Sequence, residues 1–445
     1  MYINLLKKTL TKFPYPIGNL VAKVPFNLRP GLGNSYQLRM DEQFFFMQAS
    51  RDEQKEFVFS KFKPIVNFAF ENVKFYREYY TECGFNPEVL KDYSDINSVP
   101  VINKSILQSV KLNDRSSNYV NKNLVNTGGS SGKPLELFVQ PSCIPHEWAH
   151  VHKAWQSINF QPKMLKIMFV GRSQVNNVVD YDSARHSLVV DTYAGWANVA
   201  DRLFTIFDYY QPQFIHGYPS AIYDFIFWLE SANHPLLSLL RNKIVGIILS
   251  SEFPNSIHRD RVDNLLDCKS LSFYGHTERC IFASEDASEH YKFIPYHTYG
   301  FVETLKIDGK ESLLGTSYYN YASPMIRYDT EDLVTGNYHK GLLTDFHVEN
   351  GRSGDYILDK NNDKVFLTAL IFGRHHKLFD FSNHVQVKQV SPGLCQVFVV
   401  PRCPGLTPEL ASSYFDSSNV HVCFDFILLE NPIKTKVGKV PLLIK

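Results

Sequence analysis

The sequence contains no CxxC pair, no block of like charge, no internal repeat and no apolar run long enough to cross a bilayer. Each absence removes a class of protein. The seven cysteines (Cys83, Cys143, Cys268, Cys280, Cys395, Cys403 and Cys423) are odd in number and scattered. That argues against a disulfide framework or a structural zinc site and points to reduced thiols in a cytoplasmic protein. Lys and Arg number 46 against 45 Asp and Glu, a formal net charge of +1 with no basic stripe or acidic tail, so nucleic acid is not an expected partner. The N-terminal stretch MYINLLKKTLTKFPYPIGNLVAKVPF is mildly basic, and Lys7, Lys8, Lys12, Pro14 and Pro16 interrupt its apolar runs. It reads neither as a signal peptide nor as a transmembrane span, which leaves peripheral contact with a membrane open. No Ser-His-Asp or Cys-His arrangement for nucleophilic catalysis stands out.

What the chain does have is size and aromatic content. At 445 residues it exceeds one average core, so two domains are expected, or one large lobe with a small appendage. Aromatics reach 14%, with 34 Phe and 25 Tyr, which core packing largely explains. Residues 41–80 read as helical, with a break or kink at Pro64. The middle of the chain alternates strands and helices. Lys163–Val170, Lys243–Ser250 and Lys269–Gly275 read as buried strands, and Pro219–Ser231 as a helix with proline in its first turn. This pattern predicts an α/β lobe with largely parallel sheets. After Gly351 the texture changes to short alternating strands with turns at Asn361-Asn362-Asp363 and Ser391-Pro392-Gly393, predicting a small α+β domain joined at residues 351–355.

Five short segments carry chemistry. Thr127-Gly128-Gly129-Ser130-Ser131-Gly132-Lys133-Pro134 lets backbone N–H groups curl round an anion. It is not a Walker loop, because the glycine spacing is one residue short and Pro134 replaces the magnesium-binding hydroxyl. Phe273-Tyr274-Gly275-His276-Thr277-Glu278 lies at the end of a predicted strand, where open α/β sheets bind ligands. Pro324–Leu333 includes Asp332, a carboxylate able to accept two ribose hydroxyls. Gly351-Arg352-Ser353-Gly354-Asp355 sits at the change in texture and suits a hinge. Lys434-Thr435-Lys436-Val437-Gly438-Lys439 is a basic cluster near the last residue. Each segment taken alone also has a bland reading as a turn, an edge or a solvated tail.

Taken in order, they form the ordered signature of the adenylate-forming enzymes, which the sequence resembles from about Asn67 to its end. Within that superfamily it is similar to the phenylacetate–CoA ligase branch and to relatives from capsule and surface-polysaccharide gene clusters. His216-Gly217-Tyr218-Pro219-Ser220 and Ser250-Ser251-Glu252 extend the likeness. The resemblance implies a large N-terminal nucleotide- and carboxylate-binding domain, residues 1–350, and a mobile α+β C-terminal domain, residues 351–445. It implies activation of a small carboxylic acid with ATP and Mg²⁺, pyrophosphate release, and acyl transfer to coenzyme A. Thr127, Gly128, Gly129, Ser130, Ser131, Gly132 and Lys133 would cover the ATP phosphates. Phe273, Tyr274 and Gly275 would flank adenine and the acyl group. Thr277 would touch the α-phosphate, Glu278 would hold Mg²⁺, Asp332 would bind ribose, and Arg352 would lie beside ribose and hinge. Lys439 would bridge carboxylate and α-phosphate during adenylation. Gly217, Tyr218, Ser251 and Glu252 would border the acid. Three departures stand out: Glu331 where a glycine is usual, which bears on the ribose geometry, Asp329 where Arg is frequent, and Gly354 where an acidic hinge residue is common. Cys280 stands alone in the stretch where some relatives bind zinc, so no zinc is expected.

The chemistry is consistent with these residue types. A carboxylate is already a nucleophile at neutral pH and needs no general base; the site must supply positioning and positive charge. Other readings are an amine as acyl acceptor, a catalytically inactive nucleotide-binding relative, a phosphotransferase, and a zinc protease suggested by His146-Glu147-Trp148-Ala149-His150. That last motif fixes only three positions, has no third ligand nearby, and is read as ordinary helix.

Overall fold

The computed structural model describes residues 13–29, 32–127, 135–170, 175–254, 256–307, 309–348, 355–367, 370–371, 374, 376–402, 404–433 and 441–444. The N-terminal region is helical: α1 (Tyr15–Ala22), α2 (Gly33–Gln48), α3 (Arg51–Asn72) and α4 (Lys74–Glu82). A capping box starts α3, in which Ser50 accepts from the Glu53 N–H and the Glu53 carboxylate accepts from the Ser50 N–H. The break expected at Pro64 does not occur. The helix runs through the proline, and its inner face (Val58, Phe62, Val66, Ala69) is fully buried in the largest apolar cluster. That packing outweighs the one backbone hydrogen bond the proline removes. The chain turns instead at Ala49–Ser50 and at Val73, whose backbone is extended.

After β1 (Ile102–Asn103) and α5 (Lys104–Ser109), the hairpin β2 (Asn123–Asn126) and β3 (Glu136–Val139) leads into α6 (Cys143–Trp155). Then come β4 (Lys166–Phe169), β5 (Val179–Asp182), β6 (Ser187–Val190), α7 (Trp196–Tyr210), β7 (Phe214–Gly217), α8 (Pro219–Ser231), α9 (Leu236–Lys243), β8 (Gly246–Leu249), α10 (Ser256–Leu266) and β9 (Lys269–Gly275). Strands β6, β4, β7, β8 and β9 are parallel neighbours in that order. Residues of β4, β6 and β8 are buried on both faces, as expected where helices cover both sides.

The sheet is less parallel than the sequence suggests. Beyond β9 it continues through β10 (Phe282–Glu285), β11 (Lys292–Pro295), β12 (Gly300–Ile307), β13 (Lys310–Ser317), β14 (Tyr328–His339) and β15 (Leu342–Val348), whose ladders are antiparallel. The strands join in one sheet of thirteen, with β1 pairing in parallel alongside β14. Short loops without helices leave these strands only antiparallel pairing.

A second apolar cluster serves the remaining chain. The hairpin β16 (Tyr356–Leu358) and β17 (Lys364–Phe366) turns at Asn362, which takes a positive φ of 65°. A four-stranded sheet follows, in the order β20 (Cys423–Leu428), β19 (Leu394–Pro401), β18 (Ser382–Ser391) and β21 (Leu443–Ile444), with α11 (Pro408–Ser413) between β19 and β20. The protein is thus a large α/β lobe with a small α+β unit at its C-terminal end. Of the expected joint at residues 351–355, all but Asp355 lie outside the described residues.

Candidate functional site

The strand β9 carries Phe273 and Tyr274 to its C-terminal end, where strand alternation sends them to opposite faces. Phe273 packs against Phe282, and Tyr274 packs edge-on to Phe346. The Tyr274 hydroxyl donates to Asp332 Oδ2 at 2.5 Å, linking two motifs 58 residues apart. Burial, and then the Asp332 carboxylate, hold that phenol neutral, well above its ordinary pKa. Past β9 the chain turns and brings Glu278 back, 9% exposed. Its Oε1 accepts from the Tyr328 hydroxyl at 3.3 Å, and its Oε2 pairs with His276 Nδ1 at 3.1 Å. Gly275 and Thr277 lie between these groups, Gly275 exposed and Thr277 half-buried.

The charges here are coupled. Burial opposes ionisation of Glu278, yet the hydrogen bond and charge of His276, with Lys104 farther off, hold its pKa below the usual carboxylate value. Burial likewise opposes protonation of His276, but Cys280 and Glu278 raise its pKa well above the ordinary one. Burial keeps the Cys280 thiol above its own ordinary pKa. Glu278 is therefore the ionised partner of His276 at neutral pH.

Sequence reasoning passed over three of these groups. Tyr328 reaches Glu278 from β14, 50 residues on, and Lys104 is brought to the same place through β1, whose residues Ile102 and Asn103 pair with Tyr328 and Asp329. Asn103 then caps α5, accepting from the Ile106 N–H, and Lys104 is its first residue. The third, His276, lay in plain view inside a quoted motif. Its chemistry depends on Cys280, four residues on, whose Sγ is 3.6 Å from His276 Nε2.

Backbone strain marks the same places. Ser251, Arg279, Arg327 and Glu331 all have positive φ, between 45° and 69°. Each lies in or beside a motif, where such strain is commonly stored. Glu331 stands in the left-handed region at a position where the resemblance leads one to expect glycine. Its N–H donates to Asp329 Oδ1 at 2.8 Å, closing a local turn. Burial and then Asp329 raise its carboxyl pKa.

On the other side of β9, the ends of β7 and β8 meet. Gly217 has φ 151°, and a Cβ there would overlap the Phe169 carbonyl. The Tyr218 N–H donates to that same carbonyl, and the Ser250 N–H donates to Gly217 O. Glu252 is buried and accepts from both the N–H and the hydroxyl of Ser220, each at 2.9 Å. It thereby ties the Ser251-Glu252 turn to the N-terminus of α8, where a carboxylate is electrostatically favoured.

The glycine loop is entered and left through one clasp. Thr127 is buried, its N–H donates to Leu135 O and its Oγ1 accepts from the Leu135 N–H, both at 2.9 Å. Gly128, Gly129, Ser130, Ser131, Gly132, Lys133, Arg352 and Lys439 lie outside the described residues. The stem on either side of residues 434–440 is described: Gln386, 1% exposed, donates to Ile433 O and Pro441 O and accepts from the Ile433 N–H.

The HExxH residues are otherwise engaged. His146 Nε2 donates to Tyr299 O, His150 donates from Nδ1 to His146 O, and His150 Nε2 meets Thr298 Oγ1. Glu147 pairs with Arg279. Burial drives the pKa of His150 down to about 3. Among the described residues no group of three or more His, Cys, Asp or Glu is placed to hold a metal ion. No helix among them is long and apolar enough to cross a membrane.

The sequence matches no family model and no curated protein. Solved structures do match. A 2-hydroxyisobutyryl-CoA ligase in the thioesterification state, in complex with 2-HIB-AMP and CoA, superposes with a TM-score of 0.55 over 89% of this chain and 90% of that one, at 14% identity. The same ligase in the postadenylation state, in complex with R3-HIB-AMP, gives 0.53 over 88% and 90%, at 15% identity. This chain is similar to those proteins in fold, along nearly the whole of both chains.

Proposed function

We propose that the protein activates a carboxylic acid with ATP, releasing pyrophosphate, and passes the acyl group from the adenylate to coenzyme A. The observation that supports this best is the convergence of Tyr274, Glu278 and Asp332, drawn from two separated motifs, at the carboxyl end of the parallel sheet. In this reading Asp332 accepts ribose hydroxyls, and Tyr274 and Gly275 border adenine. Thr277 contacts the α-phosphate, and Thr127–Lys133 close over the other phosphates. Gly217, Tyr218, Ser251 and Phe273 border the acid, and Glu252 holds their turn in place.

A single ionised carboxylate fits Mg²⁺, which takes one or two protein carboxylates and fills its shell with water and phosphate oxygens. Glu278 would hold it, exchanging its His276 contact for the ion. The ion would supply positive charge against the phosphates. The acid attacks the α-phosphorus as its carboxylate, and the bond from that phosphorus to the bridging oxygen breaks, with pyrophosphate leaving intact. Lys439 brings an ammonium to the point where the two anions meet, in one orientation of residues 351–445, with Arg352 at the hinge. The other orientation admits the thiol. The resemblance to the phenylacetate–CoA ligase branch favours coenzyme A as acceptor.

Pyrophosphate release with ATP, measured across a panel of aryl, acyl and amino acids, tests the reading. Acid-dependent release by the native protein, lost in Glu278→Gln, supports it. No release with any acid would leave the nucleotide-binding, catalytically inactive alternative.

A further inference from the structure

We propose that the acid activated here carries a hydroxyl at the end remote from its carboxylate, and that Trp155 and His216 recognise it. This rests on the function proposed above and adds the substrate class.

Trp155 is the last residue of α6 and packs on the face of the sheet that carries Phe214, Ile248 and Leu271. It is 2% exposed, and its indole N–H has no hydrogen-bond partner. Unpaired buried donors are rare in native interiors and mark strain, function or a bound molecule. His216 faces Trp155 from β7, with ring centroids 5.1 Å apart and planes at 52°. Its Nδ1 lies 3.2 Å from the Ile248 carbonyl, which can only accept, so Nδ1 carries the proton and Nε2 remains an acceptor. Burial, and then the Lys166 charge, push the pKa of this ring down to about 3, which keeps it neutral. The next residues of its row across the sheet, Ile248 and Leu271, are fully buried, whereas His216 is only half-buried. Since β7 runs between β4 and β8, that accessible area belongs to the side chain and leaves space beside the imidazole.

A donor and an acceptor on rings this close are bridged by one oxygen, at about 2.8 Å to each nitrogen, that accepts from the indole and donates to the imidazole. A hydroxyl does both. A methyl leaves both groups unmet, and an ammonium gives the indole nothing to donate to. A second carboxylate would face the Nε2 lone pair and would need a cation. Lys166 is turned to the Arg185 carbonyl at 3.1 Å, and burial pushes its pKa down to about 7. The position suits the far end of the acid. Phe273, which borders the acid in this reading, shares the Leu271 face of β9 and the apolar cluster of Trp155. Two residues of strand are about 7 Å, so His216 lies about that far below the level of Phe273, on the side away from Thr277 and Glu278.

The test is acid-dependent pyrophosphate release with ATP by the full-length protein, in matched pairs: para-hydroxyphenylacetate against phenylacetate, and ω-hydroxyhexanoate against hexanoate, with adipate as the dicarboxylate. The expected result is a kcat/KM for the hydroxylated acid higher by on the order of tenfold or more in the pair whose length fits, because the analogue leaves two buried groups unpaired. Trp155→Phe keeps a ring, removes the donor and should bring that ratio close to one. His216→Leu removes the acceptor and decides should the first variant fail to fold by circular dichroism; the wild-type ratio needs neither. Equal values within every pair, a best acid without a remote hydroxyl, a lead for adipate, or an unchanged ratio in a folded variant overturns the inference and leaves acid activation standing. No release with any acid overturns acid activation, and this inference with it.

Discussion

Two sets of ion pairs in this molecule use the same chemistry in opposite surroundings. Arg259 on α10 grips Glu285 on β10 with two hydrogen bonds of 2.7 and 2.6 Å, and the two side chains are 0% and 1% exposed. Arg259 also donates to the Ser270 hydroxyl and carbonyl, and Glu285 accepts from the N–H groups of Ser272 and Tyr291. At the seam between the large lobe and the C-terminal unit, Arg402 meets Glu136 and Lys364 meets Asp224, with side chains 23–41% exposed. Asn419 reaches Asp191, and the Tyr193 ring packs both against the apolar cluster formed by the parallel strands with α7 and α8 and against that of the C-terminal unit. A buried, fully bonded pair cannot be halved without stranding a charge, whereas half-exposed pairs part at little cost because water takes over. Within the lobe that carries Glu278 and Asp332 an ion pair is costly to break, and at the seam the ion pairs are cheap to break.

Breaking the buried pair should have the largest effect. Arg259→Met removes both guanidinium hydrogen bonds from buried Glu285 and leaves it only the half-exposed His290 at 3.8 Å, and the expected loss of stability is about 3–5 kcal/mol in urea unfolding. A loss below about 1 kcal/mol, the range of exposed pairs, would erase the contrast. Next is Lys439→Ala, which should leave ATP binding near normal and lower pyrophosphate release by on the order of 10²–10³, or roughly 3–4 kcal/mol. Supplied with preformed acyl-adenylate, the same variant should still transfer the acyl group. Equal loss in both steps would point to a folding defect.

Asp332→Ala should mainly raise the apparent KM for ATP, because ribose is held in ground and transition states alike. A loss of about 1.5–3 kcal/mol, the range for a hydrogen bond to a charged group, is expected. An unchanged KM removes Asp332 from the site. Glu331→Gly should raise stability by about 1 kcal/mol, since glycine adopts positive φ without strain and the change removes a carboxyl beside Asp329. Smallest is Arg402→Ala, at about 0.2–1 kcal/mol in stability. Its informative readout is the ratio of adenylation to acyl-transfer rates. An unchanged ratio would mean that this contact does not bias the seam.

The motifs could be read in the sequence because they are local: a glycine run, a strand ending in Tyr274, a carboxylate after a turn. Pro219–Ser231 and Lys269–Gly275 also announce themselves, through a proline at a helix start and through Leu271, Phe273 and Tyr274 running up to a glycine. Pro64 misled because local propensity yields to four buried side chains on one helix face. The antiparallel half of the sheet went unread because strand direction is decided by which edge a strand meets, a non-local fact. Lys104 and Tyr328 were missed for the same reason, since 224 residues separate them and only the pairing of β1 with β14 joins them. Gln386 is an ordinary residue in a strand until the chain on both sides of residues 434–440 is seen to bond to it.

Of the four tryptophans, one is wired to the seam. The Trp196 indole N–H donates to Asp224 Oδ2 at 2.8 Å, and the other oxygen of that carboxylate holds Lys364 Nζ at 2.9 Å. Trp148 and Trp155 lie within α6, and Trp228 packs near His234. Any swing that carries β17 away from α8 strips a cation from the carboxylate beside a single indole and leaves the other three in place. The protein thereby possesses an intrinsic optical probe: emission from Trp196, isolated by Trp→Phe changes elsewhere, tests without any attached dye whether the seam opens, and a constant emission through turnover would show that it stays closed.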